Sequence, residues 1–384
     1  MRPAGLIAAA VTLALEPGGA AVAADVPSPP DLALAADQVT TLAVPFSFEV
    51  GPNAETRTVV LHYRLYLPRD YHDHPERAYP AMFMASPIGD ATMGAFEQRL
   101  RAERWLVAML IESRNQSQLW MPNFLAAHDD LVRRVRVQPG MLFCTGLSGA
   151  ARACSAYPGL REGFRGIILQ GAGPWRGDVF AGEANRDLVV YGTFGAEDFN
   201  LPHALRIRRG LPPTVRRMVE VWDGGHDWAP APVAERALDW VEETAFVDAD
   251  LGPAASDAAW WYATVLADRF EQSGPGIARY VVAREAQAML ALHGALLDAE
   301  SESRLAQVAD MAAVLAAEPG LVREVEAWEA YRTALSFEEA GDGHTLPEAE
   351  ARYAAVAERL GDTEYGRLAA LRAQSIGREV ALLR

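Results

Sequence analysis

The chain predicts a mostly parallel α/β sheet with helices on both faces, followed by an all-helical segment. Three observations carry that expectation. Short continuous apolar runs such as Tyr79–Ala85 (YPAMFMA) read as strands buried on both faces. Between such runs lie helix-like stretches, and regular alternation of the two is the pattern of a parallel sheet. After about Asp250 strand-like runs vanish, and Ala, Leu, Glu and Arg recur at helical spacing.

In chain order, residues 1–24 (MRPAGLIAAAVTLALEPGGAAVAA) combine a positive start, an apolar stretch from Leu6 to Leu15 and small residues at Ala21 and Ala23. They read as a secretory signal, although Glu16 shortens the apolar region. The Pro- and Ala-rich residues 25–39 read as a linker. Residues 40–248 hold the sheet. Thr40–Val50 and Arg57–Leu67 alternate and are joined by Gly51-Pro52-Asn53, as in two antiparallel strands. Further strands are predicted at Tyr79–Ala85, Trp105–Ile111, Met141–Thr145, Gly166–Leu169, Leu188–Tyr191 and Arg217–Trp222. Helices are predicted at Met93–Arg104, Asn123–Val135, Ala150–Tyr157, Pro202–Arg209 and Pro232–Thr244. Residues 249–384 read as five or six antiparallel helices, broken at Gly274-Pro275-Gly276, Glu318-Pro319-Gly320, Asp342-Gly343 and Gly361-Asp362.

Composition bounds function. With 384 residues, half of them apolar, the chain can bury a large core. A formal net charge of -16 argues against nucleic acid as a partner. All 35 basic residues are Arg, so Schiff-base chemistry and a Lys-assisted serine are excluded. No run beyond the leader is long and apolar enough to predict a membrane span. The two cysteines, Cys144 and Cys154, read first as small buried hydrophobes; export would also permit a disulfide.

The chemistry centres on Met141–Tyr157 (MLFCTGLSGAARACSAY), a strand, a Gly-x-Ser-x-Ala turn and a helix. Small residues at Gly146, Gly149 and Ala150 let the backbone bend sharply and hold Ser148 at the tip. A serine hydroxyl is a weak nucleophile until a base removes its proton. Two later stretches supply the partners. Leu188–Asn200 (LVVYGTFGAEDFN) delivers Glu197 and Asp198 just past a strand, and Met218–Trp228 (MVEVWDGGHDW) ends another strand at His226. Loops at the carboxyl ends of parallel strands gather on one edge, so the three stretches are expected to meet. The order Ser, acid, His with the serine on an elbow is that of the α/β-hydrolases.

Residues from about Pro45 to Thr244 resemble that superfamily, and within it the polyhydroxybutyrate depolymerase and feruloyl esterase group. The resemblance rests on Tyr66-Leu67-Pro68-Arg69-Asp70-Tyr71, Gly146-Leu147-Ser148-Gly149-Ala150, Asp198 and Gly224-Gly225-His226-Asp227-Trp228. It departs at Ala150, where Gly is commoner, and at Ala85-Ser86-Pro87-Ile88-Gly89-Asp90, where many relatives carry His-Gly. The C-terminal segment Pro347–Ala373 is similar to a tetratricopeptide-type hairpin, with Tyr353, Ala354, Leu360, Tyr365 and Ala369 in packing positions; a non-repeating bundle is the alternative.

The implied roles are Ser148 as nucleophile, His226 as base and Asp198 as the residue orienting His226, with Glu197 the alternative acid. Asp223 and Asp227 stand too close to His226 in sequence to reach its outer ring nitrogen. Gly149 supplies one oxyanion N–H. Pro87 has none, which leaves Ile88 as the second donor and Ser86 in reserve. Trp228, Ser86 and Leu147 are expected to contact substrate. The other histidines show no ligand spacing, so neither metal nor other cofactor is expected. Trp260-Trp261-Tyr262 reads as core packing rather than a substrate platform.

The resulting expectation is an exported serine esterase acting on small or polymeric esters, with an open cleft because Gly171–Asp187 is short for a lid. The alternatives are a prolyl-oligopeptidase-like peptidase, or a hydrolase fold without turnover whose C-terminal helices bind a protein partner.

Overall fold

The computed structural model describes residues 34–383 apart from residues 51–54, 183–184, 186, 248–249, 253–254 and 342–343. The expected signal segment, and the linker as far as residue 33, lie outside the described residues.

Among the described residues eight strands form one sheet: β1 (Val39–Val50), β2 (Glu55–Tyr66), β3 (Tyr79–Ala85), β4 (Leu106–Leu110), β5 (Val137–Leu147), β6 (Phe164–Gln170), β7 (Val189–Gly195) and β8 (Arg216–Trp222). Their order is β1-β2-β4-β3-β5-β6-β7-β8. β1 and β2 pair antiparallel, as do β2 and β4, and every later pairing is parallel. All eight predicted strands are present. β3, β4, β6 and β7 are buried along their whole length, β3 and β4 as unbroken apolar runs and β6 and β7 with Arg165, Gln170 and Thr193 among their buried residues. β5 starts at Val137, ahead of the predicted Met141, because it passes Pro139 and Gly140 through a register shift. Gly140 takes a φ of 79° there.

Among the described residues, α1 (Glu97–Ala102), α2 (Trp120–Arg134), α3 (Gly149–Ala156) and α4 (Ala204–Gly210) lie between strands, and α5 (Ala231–Glu242) follows β8. Successive side chains of a strand face opposite ways, and the core divides accordingly. Phe83 meets Phe124 of α2 at 5.3 Å, and Phe124 stacks on Tyr157 at the end of α3. Phe143, whose partner on β3 is Met82, faces the other side and meets Trp105 at 4.9 Å and Phe246 at 5.8 Å.

Among the described residues six α-helices follow: α6 (Ala255–Gln272), α7 (Ile277–His293), α8 (Ala299–Ala316), α9 (Val322–Ala340), α10 (Leu346–Leu360) and α11 (Glu364–Ala381). All four predicted breaks separate helices. The fifth, after His293, is marked by Asp298, whose carboxylate accepts from Ser301 N at 2.8 Å as an N-cap. Trp260, Trp261 and Tyr262 are buried, with Trp261 5.1 Å from Trp105, so they pack the core as expected. Buried ion pairs tie the last helices to the sheet: Arg208 of α4 binds Glu338 and Glu379, and Arg372 donates to the Val219 carbonyl of β8. In the α10–α11 hairpin Tyr353, Leu360 and Ala369 are buried, Tyr365 is half-buried and Ala354 is exposed.

One expectation is overturned. Cys144 and Cys154 are bonded, with Cα atoms 5.8 Å apart. Cys144 pairs with Phe83 and so shares the face that α3 covers, where Cys154 stands. A spacing of ten residues cannot show this, because it depends on where the turn aims the helix.

Candidate active site

β5 ends at Leu147, and Ser148 follows with φ 57° and ψ -118°. A residue with a Cβ is strained there by about 1–3 kcal/mol, so the neighbourhood must impose the conformation. It does so through Ser148 N, which donates to the Gln170 carbonyl at 2.8 Å, and through Arg152 N, which donates back to the Ser148 carbonyl at 3.2 Å. α3 begins at once, leaving the Gly149 N–H among the first-turn amides that have no partner within the helix.

Asp198 and His226 reach the same edge from the carboxyl ends of β7 and β8. Ala196 N donates to the Trp222 carbonyl, and Glu197 N to the Gly224 carbonyl, each at 2.8 Å, so the two loops are zipped together. His226 Nε2 lies 2.9 Å from Ser148 Oγ, and His226 Nδ1 lies 2.8 Å from Asp198 Oδ1. With the proton on Nδ1, the imidazole donates to the carboxylate and Nε2 accepts from the hydroxyl. Asp198 is 4% exposed, and Oδ1 also accepts from Asn200 N at 2.7 Å. The Asn200 amide in turn donates to the Gly171 carbonyl at 2.8 Å, so the acid cannot swing freely.

Neither Glu197 nor Asp223 nor Asp227 meets the ring of His226. Glu197 contributes only its backbone to the loop contact, Asp223 pairs with Arg378, and Asp227 accepts from Trp228 N at 2.7 Å. Asp198, not Glu197, therefore meets the histidine.

Three residues of the site were not singled out from the sequence. Gln170 binds Ser148 N through its carbonyl, accepts from Ala229 N through Oε1 at 3.0 Å, and donates to Thr145 Oγ1 at 3.1 Å. The ring packed on His226 is that of Phe199, 4.2 Å between centroids and 74% exposed. Trp228 sits at the surface two residues past His226. Asn115, in the loop after β4, covers Gly149: a Cβ on that glycine would stand 1.8 Å from Asn115 Oδ1. Gly149 therefore makes room for Asn115 as well as for the turn.

A cleft of about 250 Å³ opens beside Gly149, with Ser86, Asn115, Trp120, Arg152 and Trp175 among its walls. Ser86 is thus brought to the site. Ile88 is 84% exposed on the same loop, and its N–H lies 3.4 Å from the Ser86 hydroxyl oxygen. Leu147 is buried below, turned toward Gly171. A larger cavity, about 440 Å³, lies elsewhere, between β8 and α5, α7, α9 and α11, and is walled by charged and aromatic side chains such as Glu220, Arg236 and Tyr331. It holds none of Ser148, Asp198 and His226. Among the described residues no group of three or more His, Cys, Asp or Glu is arranged to hold a metal ion, and no helix is long and apolar enough to cross a membrane.

A sheet that turns from antiparallel to parallel in the order above, carrying a strained serine on the β5–α3 elbow and an acid and a histidine after β7 and β8, decides the architecture. The fold is that of the α/β-hydrolases. No family model and no curated protein matches the chain. Among solved structures, the hydrolase fold is similar to a ferulic acid esterase, at 14% identity over 52% of this chain and 98% of that one, with a TM-score of 0.37. It is similar to an IroE-like serine hydrolase from Shewanella oneidensis, at 11% identity over 71% of this chain and 98% of that one, TM-score 0.40. A third is the Pyrococcus horikoshii acylaminoacyl peptidase, at 11% identity over 53% of this chain and 41% of that one, TM-score 0.38.

Proposed function

We propose that the protein is a serine hydrolase that cleaves carboxylic esters by an acyl-enzyme route. The line Ser148–His226–Asp198, bonded at 2.9 and 2.8 Å on a strained elbow, carries the reading. Ser148 Oγ attacks the ester carbonyl while His226 Nε2 takes its proton, and Asp198 holds the imidazole and balances the charge it gains. The oxyanion gathers at the Gly149 N–H and at an N–H of the Ser86–Ile88 loop, for which Ile88 is the first choice; each donor is worth about 3 kcal/mol of barrier. Collapse breaks the C–O bond, and the alkoxide leaves with the proton from His226. Water then gives a proton to His226 and adds to the acyl carbon; collapse of that adduct expels Ser148 Oγ, which regains the proton, and the acid is freed.

The disulfide supports the further proposal that the chain works in an oxidising compartment after export. Open walls around Ser148, with Trp175, Phe199 and Trp228 exposed, suit bulky or polymeric acyl substrates.

Incubation with a fluorophosphonate probe and with p-nitrophenyl acetate tests the reading. Wild type labels and turns over the ester; Ser148→Ala loses labelling and both Ser148→Ala and His226→Ala lose roughly 10⁵-fold in kcat. Absence of labelling in wild type, or labelling that survives Ser148→Ala, refutes it. Faster cleavage of aminoacyl anilides than of esters would move the assignment to a peptidase.

A further inference from the structure

Several buried or half-buried arginines elsewhere in this acidic chain are matched by carboxylates, Arg208 by Glu338 and Glu379, Arg269 by Glu103 and Glu242, Arg104 by Asp70 and Asp268, and Arg136 is met by the backbone carbonyls of Arg77, Tyr71 and His74. Arg152 is different. It stands one helical turn past Ser148, half-buried in the wall of the cleft, and no described carboxylate lies within ion-pair distance of it. Burial, and then the charge of Arg206, holds its guanidinium below the usual value, with no acidic group opposing them. Arg206 and Arg114 likewise meet no described carboxylate, and Arg114 lines the same cleft. Leaving a partly desolvated cation without a counter-charge is costly, and a chain with 51 acidic residues has ample means to avoid it. Across the cleft, Trp120 and Trp175 place their rings 5.3 Å apart and offer an apolar wall.

We infer that this cleft takes the anionic end of the substrate, so that the ester cleaved at Ser148 carries a carboxylate or phosphate group on the same molecule. Arg152 and Arg114 receive the anion, and the Trp120–Trp175 wall receives the apolar body between the anion and the scissile carbonyl. This inference rests on the esterase reading above. The covalent steps are unchanged; the anion supplies binding and orientation only.

The test compares matched esters. One pair carries the charge on the acyl side (mono-4-nitrophenyl glutarate against 4-nitrophenyl valerate). A second set carries it on the alcohol side (4-acetoxybenzoate and 4-acetoxyphenyl phosphate against 4-acetoxytoluene), and separates carboxylate from phosphate. At least one anionic ester is expected to exceed its neutral counterpart about tenfold in kcat/KM, the worth of one partly screened charge-assisted contact. That ratio should fall toward one in Arg152→Gln and Arg114→Gln, and also as salt is raised. Arg114 is exposed, so its variant reports on binding even if Arg152→Gln disturbs folding. A ratio of one or less in every wild-type pair, or a ratio unchanged in both variants, overturns the inference while leaving the esterase intact. Failure of wild type to turn over any ester or to take the fluorophosphonate label overturns the esterase reading and this inference with it.

Discussion

Gly171→Ala is a perturbation whose effect on the site can be worked from the structure. Gly171 follows β6 with φ 58°, a conformation that costs a residue bearing a Cβ about 1–2 kcal/mol. Its backbone is pinned on both sides, N–H to the Thr193 carbonyl at 2.8 Å and C=O from the Asn200 amide at 2.8 Å, so the chain cannot swing away. The added methyl group would lie 3.0 Å from Asp198 Oδ2, 3.1 Å from Leu147 Cδ1 and 3.2 Å from His226 Cε1. Ordinary contacts run to about 3.5 Å or more, so the imidazole and the carboxylate must each yield by a few tenths of an ångström. Misplacing a catalytic group by about 1 Å costs roughly 100-fold, which puts the expected loss in kcat between about 3- and 30-fold, with KM little changed. Steady-state kinetics on p-nitrophenyl acetate and a calorimetric melt measure both effects, and the melting temperature should fall by a few degrees. Gly182→Ala, where a Cβ meets nothing within 4 Å and φ is -71°, is the control. Wild-type kcat and melting temperature in Gly171→Ala, or a loss confined to KM, would refute the geometric argument.

Three more outcomes follow from named contacts. Gln170→Leu strips the buried Ala229 N–H and Thr145 hydroxyl of their partner, and is expected to cost about 1–3 kcal/mol and to lower kcat by loosening the loop that carries His226; thermal melts and kcat check it. Burial opposes ionisation of Glu103, but Arg269 and Arg99 overcome it and hold the carboxyl down at about 2, while burial and the Glu103 charge push its neighbour Glu242 up. The stability from Glu103 is therefore present above its unfolded value of about 4.3 and is lost as pH falls toward 2, whereas Glu242 favours folding at low pH and loses that contribution as pH rises through about 8. Glu103→Gln should cost about 3–5 kcal/mol at neutral pH and flatten the acid limb of denaturant titrations taken between pH 6 and 3. Truncation after Asp250 removes Trp261 from Trp105 and Phe246, at 5.1 and 4.7 Å, and takes Arg372 from the Val219 carbonyl of β8 and Glu338 from Arg208 of α4. The shortened chain is expected to be insoluble, checked by soluble yield and circular dichroism.

How much of this was legible beforehand follows from what each signal depends on. Strands buried on two faces announce themselves as short apolar runs and the two antiparallel strands by their alternation, so all eight were found, and Ser148, Asp198 and His226 could be joined because strand ends of a parallel sheet share an edge. Signals that need a side chain's direction were not available. Phe199 packs on His226 only because the Asp198 loop turns back toward it, and Trp228 was the nearer aromatic in sequence. Asn115 lies 34 positions before Gly149, yet β4 and β5 both flank β3, which brings their loops together. The strand-end rule that singled out His226 applies equally to the polar run Glu112–Ser117, and would have pointed to Asn115.

The disulfide shows why the elbow needed more than small residues. Gly146 and Ala150 permit the bend, but permission does not offset the roughly 1–3 kcal/mol that Ser148 stores at φ 57°. A cross-link closing a loop of this size limits the unfolded chain by about 3 kcal/mol. It joins β5 to α3 across the turn itself, so the constraint falls on the segment under strain. Together with the bond from Ser148 N to Gln170, which belongs to the next strand, it makes the serine's position a property of two strands and a helix rather than of one turn. That dependence is tertiary, which is why Cys144 and Cys154 read as two separate apolar side chains until the faces they share were known.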